Sequence, residues 1–381
     1  MAQNHDRLTP TELERIYARR IKSDFLGDLA PSNSPTALLI GGQPGSGKSY
    51  ALAQARTQMA ASAGAAVVLS GDELREYHPY WRANALTDPQ AAARTQEDVG
   101  KWYARLTNDA VAQRVNIAFE TAMRHARPVL VLAEQLRARG YMIVATIVAA
   151  GKEQSRQATM ARFDVARTTG DVPRFVPAVY HDDAYARVRD TIGQLEAAHA
   201  VDVLRIITRD GANVYRNQLR NGVWEHPAKA VELLDAARER RPTARELADN
   251  ALRWQTLTQR LAVDPTVARD VAAQTVAWRN EATARAEHDP DARRYLTWGR
   301  EAEAFRTMNH PQFLREFPHQ EPVVRRFRQA VDLFESEYGN PADRARTIAD
   351  TRARLADRIA EGRYATKARA PERSREEGYT R

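Results

Sequence analysis

Cysteine is absent from the 381-residue chain, which excludes disulfides, thiolate zinc sites and cysteine nucleophiles. No apolar run is long enough to cross a bilayer. The longest, Tyr141 to Ala150, is about half of the ~20 residues a spanning helix requires. The opening Met1-Ala2-Gln3-Asn4-His5-Asp6 lacks the apolar core of a signal peptide. With no thiols to oxidise, the expectation is a soluble, cytoplasmic protein with no membrane partner. Among the nine histidines no H-E-x-x-H spacing occurs, so a protein-held zinc site is not expected. Lysine is scarce as well: six residues against 51 arginines. That excess makes any single arginine weak evidence of function. The net charge of +8 leaves nucleic acid open as a partner. Acidic residues are nevertheless interleaved almost everywhere, and no strong basic face can be read.

What is present is enough for two ordinary domains. A helix is expected over 11–27, with Leu13, Ile16, Tyr17, Ile21 and Phe25 at helical spacing. Short apolar strands follow at Thr36–Ile40, Ala65–Ser70, Val115–Phe119, Tyr141–Val148 and Val203–Ile207, with a small extension at Val214-Tyr215. Helical stretches separate them, among them 50–61, 88–112, 129–139, 152–166 and 183–198. Strands alternating with helices predict an α/β fold, a parallel sheet with helices on both faces. Ligands of such sheets sit at the carboxyl ends of strands. From about 228 the strand signals vanish and helical stretches run on to 362, predicting an all-α region with no chemistry motif. The polar residues 363–381 read as a disordered tail.

Between the first strand and its helix lies Gly42-Gln43-Pro44-Gly45-Ser46-Gly47-Lys48-Ser49, followed by Tyr50. The pattern G-x-x-x-x-G-K-S in a strand–loop–helix setting is a phosphate-binding loop. Its glycines let backbone N–H groups curl around phosphates, and the helix N-terminus adds a favourable dipole. Lys48 is expected to neutralise β- and γ-phosphate oxygens, and Ser49 to give Mg²⁺ a hydroxyl ligand. ATP and Mg²⁺ are the implied cofactors. The loop alone does not separate a kinase from a hydrolase or a switch.

Asp72 lies just beyond the second strand, where a carboxylate could accept the proton of an attacking hydroxyl. Ser70-Gly71-Asp72-Glu73 also reads as a helix start, with Ser70 and Glu73 spaced as a capping box or Asp72 as the N-cap. Both readings stand at this point. Glu120 falls at the end of the third strand, as a site residue or as an ion-pair partner of Arg124. His78, before Pro79, reads as a structural residue.

Together these segments resemble the zeta toxin family, bacterial small-molecule kinases of toxin–antitoxin systems. Ser70-Gly71-Asp72-Glu73-Leu74-Arg75 with His78-Pro79-Tyr80 is similar to that family's Asp-x-Phe-Arg…His-Pro signature. Asn116-Ile117-Ala118-Phe119-Glu120, then Arg124, resembles its strand carrying a substrate-binding glutamate and arginine. Glu153, Ser155 and Arg162-Phe163 fall at the spacing of its Glu…Ser…Arg-Tyr helix, and Arg174 at its second phosphate-binding arginine. The resemblance covers about residues 11–225. It implies that Asp72 is the general base and that Lys48, Arg162 and Arg174 stabilise the transferred phosphoryl group. Asp72, Arg75, Glu120 and Arg124 would bind the acceptor, which in well-studied members is UDP-N-acetylglucosamine phosphorylated on its 3′-hydroxyl. An antitoxin protein that blocks the ATP site is the implied partner.

Two departures bear on the acceptor. Glu120-Thr121-Ala122 stands where the family usually has Glu-Gly-Thr. A helical glutamate that holds the nucleotide-sugar falls here near Ala104, with Glu97, Asp98 and Asp109 the nearest acids. Three readings therefore remain: a kinase of a nucleotide-sugar, a kinase of another acceptor (an antibiotic, a dinucleotide or a nucleic-acid end), or a nucleotide-regulated binding protein using the helical half. The expected organisation is a kinase domain over 1–227, a helical domain over 228–362 and the tail.

Overall fold

The computed structural model describes residues 6–364 apart from 86, 87, 89, 266 and 338. Most of the tail expected to be disordered, from 365 on, lies outside the described residues. The chain divides into two compact units, 1–241 and 242–381.

The first unit is built on a seven-stranded sheet of β1 (Thr36–Gly41), β2 (Ala66–Leu69), β3 (Asn116–Thr121), β4 (Met142–Ala149), β5 (Val203–Thr208), β6 (Asn213–Arg220) and β7 (Val223–Trp224). Their order across the sheet is β2-β3-β1-β4-β5-β6-β7. The first five are parallel, as the strand–helix alternation predicts. The small extension foreseen at 214–215 is instead a full strand, antiparallel to β5, with β7 antiparallel beyond it. Only a tight turn at Thr208–Ala212 joins β5 to β6, and a short connection permits only the antiparallel return.

The helices of this unit are α1 (Pro10–Ile16), running through a π-turn at Tyr17–Ile21 into α2 (Lys22–Leu26), then α3 (Lys48–Ser62), α4 (Gly71–Arg75), α5 (Pro79–Asn84), α6 (Ala91–Arg94), α7 (Gln96–Ala112), α8 (Ala126–Ala138), α9 (Lys152–Thr169), α10 (Ala178–Ala197) and α11 (Ala230–Arg238). Side chains alternate across a strand, and β1 shows it. Ala37 and Leu39 join a large core containing Trp102 and Leu106 of α7, Leu136 of α8 and Leu195 of α10. Leu38 and Ile40 face the other way, against Ala51, Leu52 and Met59 of α3. All six residues of β1 are buried, as in a central strand covered on both faces. Ala230 and Leu234 of α11 belong to the larger core, so the first unit runs past the 227/228 boundary drawn from the sequence.

Register sets the site. Ile40 pairs with Glu120 and Gly41 with Thr121, while Leu69 pairs with Phe119. The carboxyl ends of β1, β2 and β3 therefore form one rim, from which the glycine loop, α4 and Glu120 emerge together.

The second unit contains α12 (Ala244–Ala262), α13 (Arg269–His288), α14 (Pro290–Thr307), α15 (His310–Glu316), α16 (Glu321–Glu337) and α17 (Pro341–Ala360). Thr243 and Glu246 form a capping box that starts α12. Trp254 and Trp278 meet at 5.3 Å between ring centroids, as core anchors. A second cluster gathers Phe305, Phe313 and Phe327. The short α15 has no counterpart in the sequence reading. It is a two-turn helix too brief for a periodic signal, started by Asn309 and Pro311.

Candidate active site

Where β1 ends, Gly42, Gly45 and Gly47 take φ of 147°, 75° and 105°, in the left-handed region where side chains are penalised. Space demands glycine too: a Cβ on Gly45 would lie 2.1 Å from the Ser155 carbonyl oxygen. The loop delivers the chain to the N-terminus of α3, whose unpaired N–H groups and dipole favour an anion. Pro44 is half-buried, and Ser46 is buried with no hydrogen-bond partner for its Oγ among the described residues. Lys48 Nζ donates to the carbonyls of Gly42 (2.8 Å) and Gln43 (3.0 Å). Burial of this ammonium pushes its pKa down to about 8. Glu120 and Asp72 pull it up, and Arg162 presses it further down. Lys48 thus feels Arg162, expected at the phosphates, together with Asp72 and Glu120, expected on the acceptor side. Ser49 Oγ donates to Glu120 Oε1 at 3.4 Å. Tyr50 is exposed, its hydroxyl accepting from Gln54 Nε2.

Ser70, and not Asp72, caps α4, its Oγ accepting from the Asp72 amide at 3.3 Å. The Asp72 side chain is therefore not spent on capping. Its Oδ1 accepts from Arg75 at 2.9 Å, and its Oδ2 is ion-paired with Arg174. Arg75 is buried and committed further, to Thr95 Oγ1 (3.3 Å) and Gln96 Oε1 (2.6 Å). Both guanidinium groups lie over the ring of Trp81, at 5.4 and 5.7 Å. Arg162, on α9, is exposed and has no hydrogen bond or ion pair among the described residues. Arg124 turns to α10, where it pairs with Asp183 at 2.6 Å and covers the ring of Tyr180 at 4.4 Å. Its ion-pair partner is thus Asp183 rather than Glu120. Thr121 Oγ1 accepts from the Met123 amide at 3.1 Å.

The acids near Ala104 fasten the N-terminal segment. Asp98 accepts from the Leu8 amide at 2.8 Å and lies 3.4 Å from His78. Asp109 takes the Tyr17 hydroxyl at 2.8 Å, and Glu97 pairs with Arg7 and Lys101. His78 is fully buried, and that burial lowers its pKa against the opposing pull of Asp98.

Sequence reasoning named Gln43 and Ser155 but missed His181, Asp182 and the polar layer that the four form behind the loop. Gln43 turns its amide inward, donating to Ala150 O (2.9 Å) and Ser155 Oγ (3.2 Å). Ser155 Oγ lies 2.9 Å from His181 Nε2, whose Nδ1 is 3.0 Å from Asp182. No spacing rule couples these positions. Arg209 was missed as well; it donates to Gly45 O at 3.2 Å. Its position directly after β5, on the same rim, was the available signal.

Ser49 and Glu120 offer hard oxygen donors of the kind Mg²⁺ takes. Among the described residues no group of three or more His, Cys, Asp or Glu could hold a metal by itself. That donor set fits an ion bound largely through substrate phosphates.

Comparison with known proteins identifies the family. The zeta toxin family model matches residues 23–220. Toxin PezT of Streptococcus pneumoniae is 26% identical over 211 residues, covering 54% of this chain and 81% of that protein. Toxin zeta of Enterococcus hirae is 26% identical over 213 residues, covering 52% and 71%. A solved structure from work on the PezAT chromosomal toxin–antitoxin system of S. pneumoniae has the same fold, with a TM-score of 0.55 at 21% identity over 68% of this chain and 98% of that one. With more than half of its length matched, and with the phosphate loop in place, the chain belongs to the zeta toxin family and is an ATP-dependent kinase.

Proposed function

We propose that the protein transfers the γ-phosphoryl group of ATP to a hydroxyl of a small molecule, a nucleotide-sugar such as UDP-N-acetylglucosamine, in a toxin–antitoxin role. The observation that carries this reading is the Asp72 carboxylate, held between Arg75 and Arg174 on the rim that bears the phosphate loop. In the proposed reaction Asp72 takes the proton of the acceptor hydroxyl. The acceptor oxygen forms its bond to the γ-phosphorus as the bond to the β,γ-bridging oxygen breaks, and ADP leaves. Lys48, Arg162 and Arg174 stabilise charge on the transferred group. Gly42 to Tyr50 cradle the nucleotide, and Arg75, Glu120 and Arg124 position the acceptor, Arg75 by fixing Asp72. Mg²⁺, held through Ser49, supplies charge neutralisation at the phosphates. The setting proposed is the cytoplasm, and the partner an antitoxin protein that blocks the ATP site.

Incubation with ATP, Mg²⁺ and UDP-N-acetylglucosamine, followed by mass spectrometry, tests the proposal. A sugar nucleotide heavier by one phosphate is expected. No transfer to any candidate metabolite, with ATP demonstrably bound, overturns it.

One observation favours a second acceptor. Thr121, at the altered Glu120-Thr121-Ala122 position, uses its oxygen to hold the Met123 amide, and Asp98 and Asp109 are engaged with the N-terminal segment. A screen of cell metabolites for gain of one phosphate separates this reading from the first.

A further inference from the structure

We infer that Arg238, at the end of α11 and beyond the residues matched by the family model, is a positioning residue for the phosphate loop. The inference rests on the loop binding ATP and not on the identity of the acceptor. Arg238 is 7% exposed. Its NH2 donates to Gln43 Oε1 at 2.9 Å and its NH1 to the Tyr185 carbonyl at 2.9 Å, with the guanidinium 4.4 Å from the Tyr185 ring centroid. Gln43 is itself fully buried, with both donor positions of its amide used on Ala150 O and Ser155 Oγ. Arg238 supplies what the Gln43 oxygen needs.

The consequence for the loop follows from its backbone. Three residues at positive φ leave Gly42 to Gly47 with little conformational preference of their own, yet a phosphate cradle needs its N–H groups held in one convergent arrangement. Gln43 is the side chain that ties this stretch to β4 and α9, and Arg238 fixes the Gln43 amide. A second feature points toward an anion. No carboxylate among the described residues hydrogen-bonds or ion-pairs with Arg238. Asp235, one turn earlier on α11, acts on Arg238 only through space and is itself paired with Arg189. The buried guanidinium is therefore under-compensated, and in this inference the polyphosphate held by the loop that carries Gln43 adds the missing negative charge.

The test is nucleotide binding by the full chain, measured by titration calorimetry with ATP. Arg238→Met should weaken ATP binding by about tenfold or more, an effect of about 1.4 kcal/mol, at a temperature where the variant is folded. Leu234→Ala, a buried change on the same helix, should lower Tm and leave ATP affinity within twofold. Equal affinities for wild type and Arg238→Met, or equal losses in the two variants, overturn the inference. Should Arg238→Met not fold, hydrogen exchange of the wild-type protein decides. ATP should then protect the amides of α11 together with those of the loop, and protection confined to the loop overturns it.

Discussion

Arg174 and Asp72 form a direct ion pair, so the proposed acceptor of the hydroxyl proton is bonded to an arginine proposed to hold the phosphates. The pair couples the two halves of the reaction. Asp72→Asn should reduce phosphoryl transfer by about 10²–10⁴-fold, the usual worth of a positioned general base. The same change weakens the hold on Arg174 from Asp72, leaving its longer pair with Glu76 at 3.8 Å. An exposed pair contributes up to about 1 kcal/mol, so ATP should bind equally well or up to about fivefold tighter. Transfer assays and calorimetry read the two effects separately. Full activity in the variant would remove Asp72 from the mechanism.

Lys48 gives a pH dependence with a defined sign. Its pKa is pushed down from 10.5 to about 8, chiefly by burial, and a polyphosphate binds the charged ammonium. Phosphate oxygens lose their last proton near pH 6, so ATP is fully ionised where Lys48 titrates. ATP affinity should be flat between about pH 7, where the phosphates are ionised, and pH 8, and fall toward tenfold per pH unit above that. The protein without nucleotide should behave in the opposite sense. Between about pH 8 and 10.5 the unfolded chain holds the extra proton, so this group makes folding more favourable as pH rises. An affinity profile level to pH 10 would show that Lys48 is not the titrating contact.

The rim was legible because its signals are local. A continuous apolar strand, a glycine loop and a helix occur in order, and the same holds for Asp72 after β2 and Glu120 in β3. The resemblance added Arg162 and Arg174, which no local pattern distinguishes from the other arginines. What stayed hidden depends on packing between distant segments. Gln43 reads as one residue of the phosphate loop, with nothing to mark its side chain, until Arg238 is seen to meet it. Asp98 and Asp109 read as spare acids until Leu8 and Tyr17 fold onto them. Antiparallel β6 was underestimated because one face is partly exposed and its apolar residues are sparse.

Arg162 and Arg174 should separate in stability while agreeing in catalysis. Arg162 makes no hydrogen bond or ion pair among the described residues, so Arg162→Ala should leave Tm unchanged. Arg174→Ala loses its contacts to Asp72, Glu76 and Trp81 and should cost about 1 kcal/mol. Each should lower transfer by about 10²–10³-fold if its charge stabilises the moving phosphoryl group. Arg162→Ala carries a further signature. Removing a positive neighbour raises the Lys48 pKa, which moves the break in ATP affinity to higher pH. An unmoved break would mean that Arg162 does not act on the loop.

Two glycines of nearly equal φ should differ in how the same substitution affects ATP binding. Gly45 has φ of 75° and Gly170, which ends α9, has φ of 78°. An alanine at either meets the left-handed penalty of about 1–2 kcal/mol. At Gly170 nothing lies within 4 Å of the added methyl. Gly170→Ala should therefore lower stability by that amount and leave ATP binding intact. At Gly45 the methyl would stand 2.1 Å from the Ser155 carbonyl oxygen and 3.0 Å from Thr159 Cγ2. Backbone cannot yield as a flexible side chain does, so either the loop or the start of α9 must move. Because the loop is the cradle itself and Gln43 ties it to α9 through Ser155, a shift of either disturbs the convergent N–H arrangement. Gly45→Ala should weaken ATP binding and lower phosphoryl transfer by about 100-fold or more, since misplacement of about 1 Å already costs a reaction that much. Urea denaturation and ATP titration of the two variants, side by side, make the comparison, and ATP binding by Gly45→Ala at wild-type affinity would show that this close approach does not shape the site.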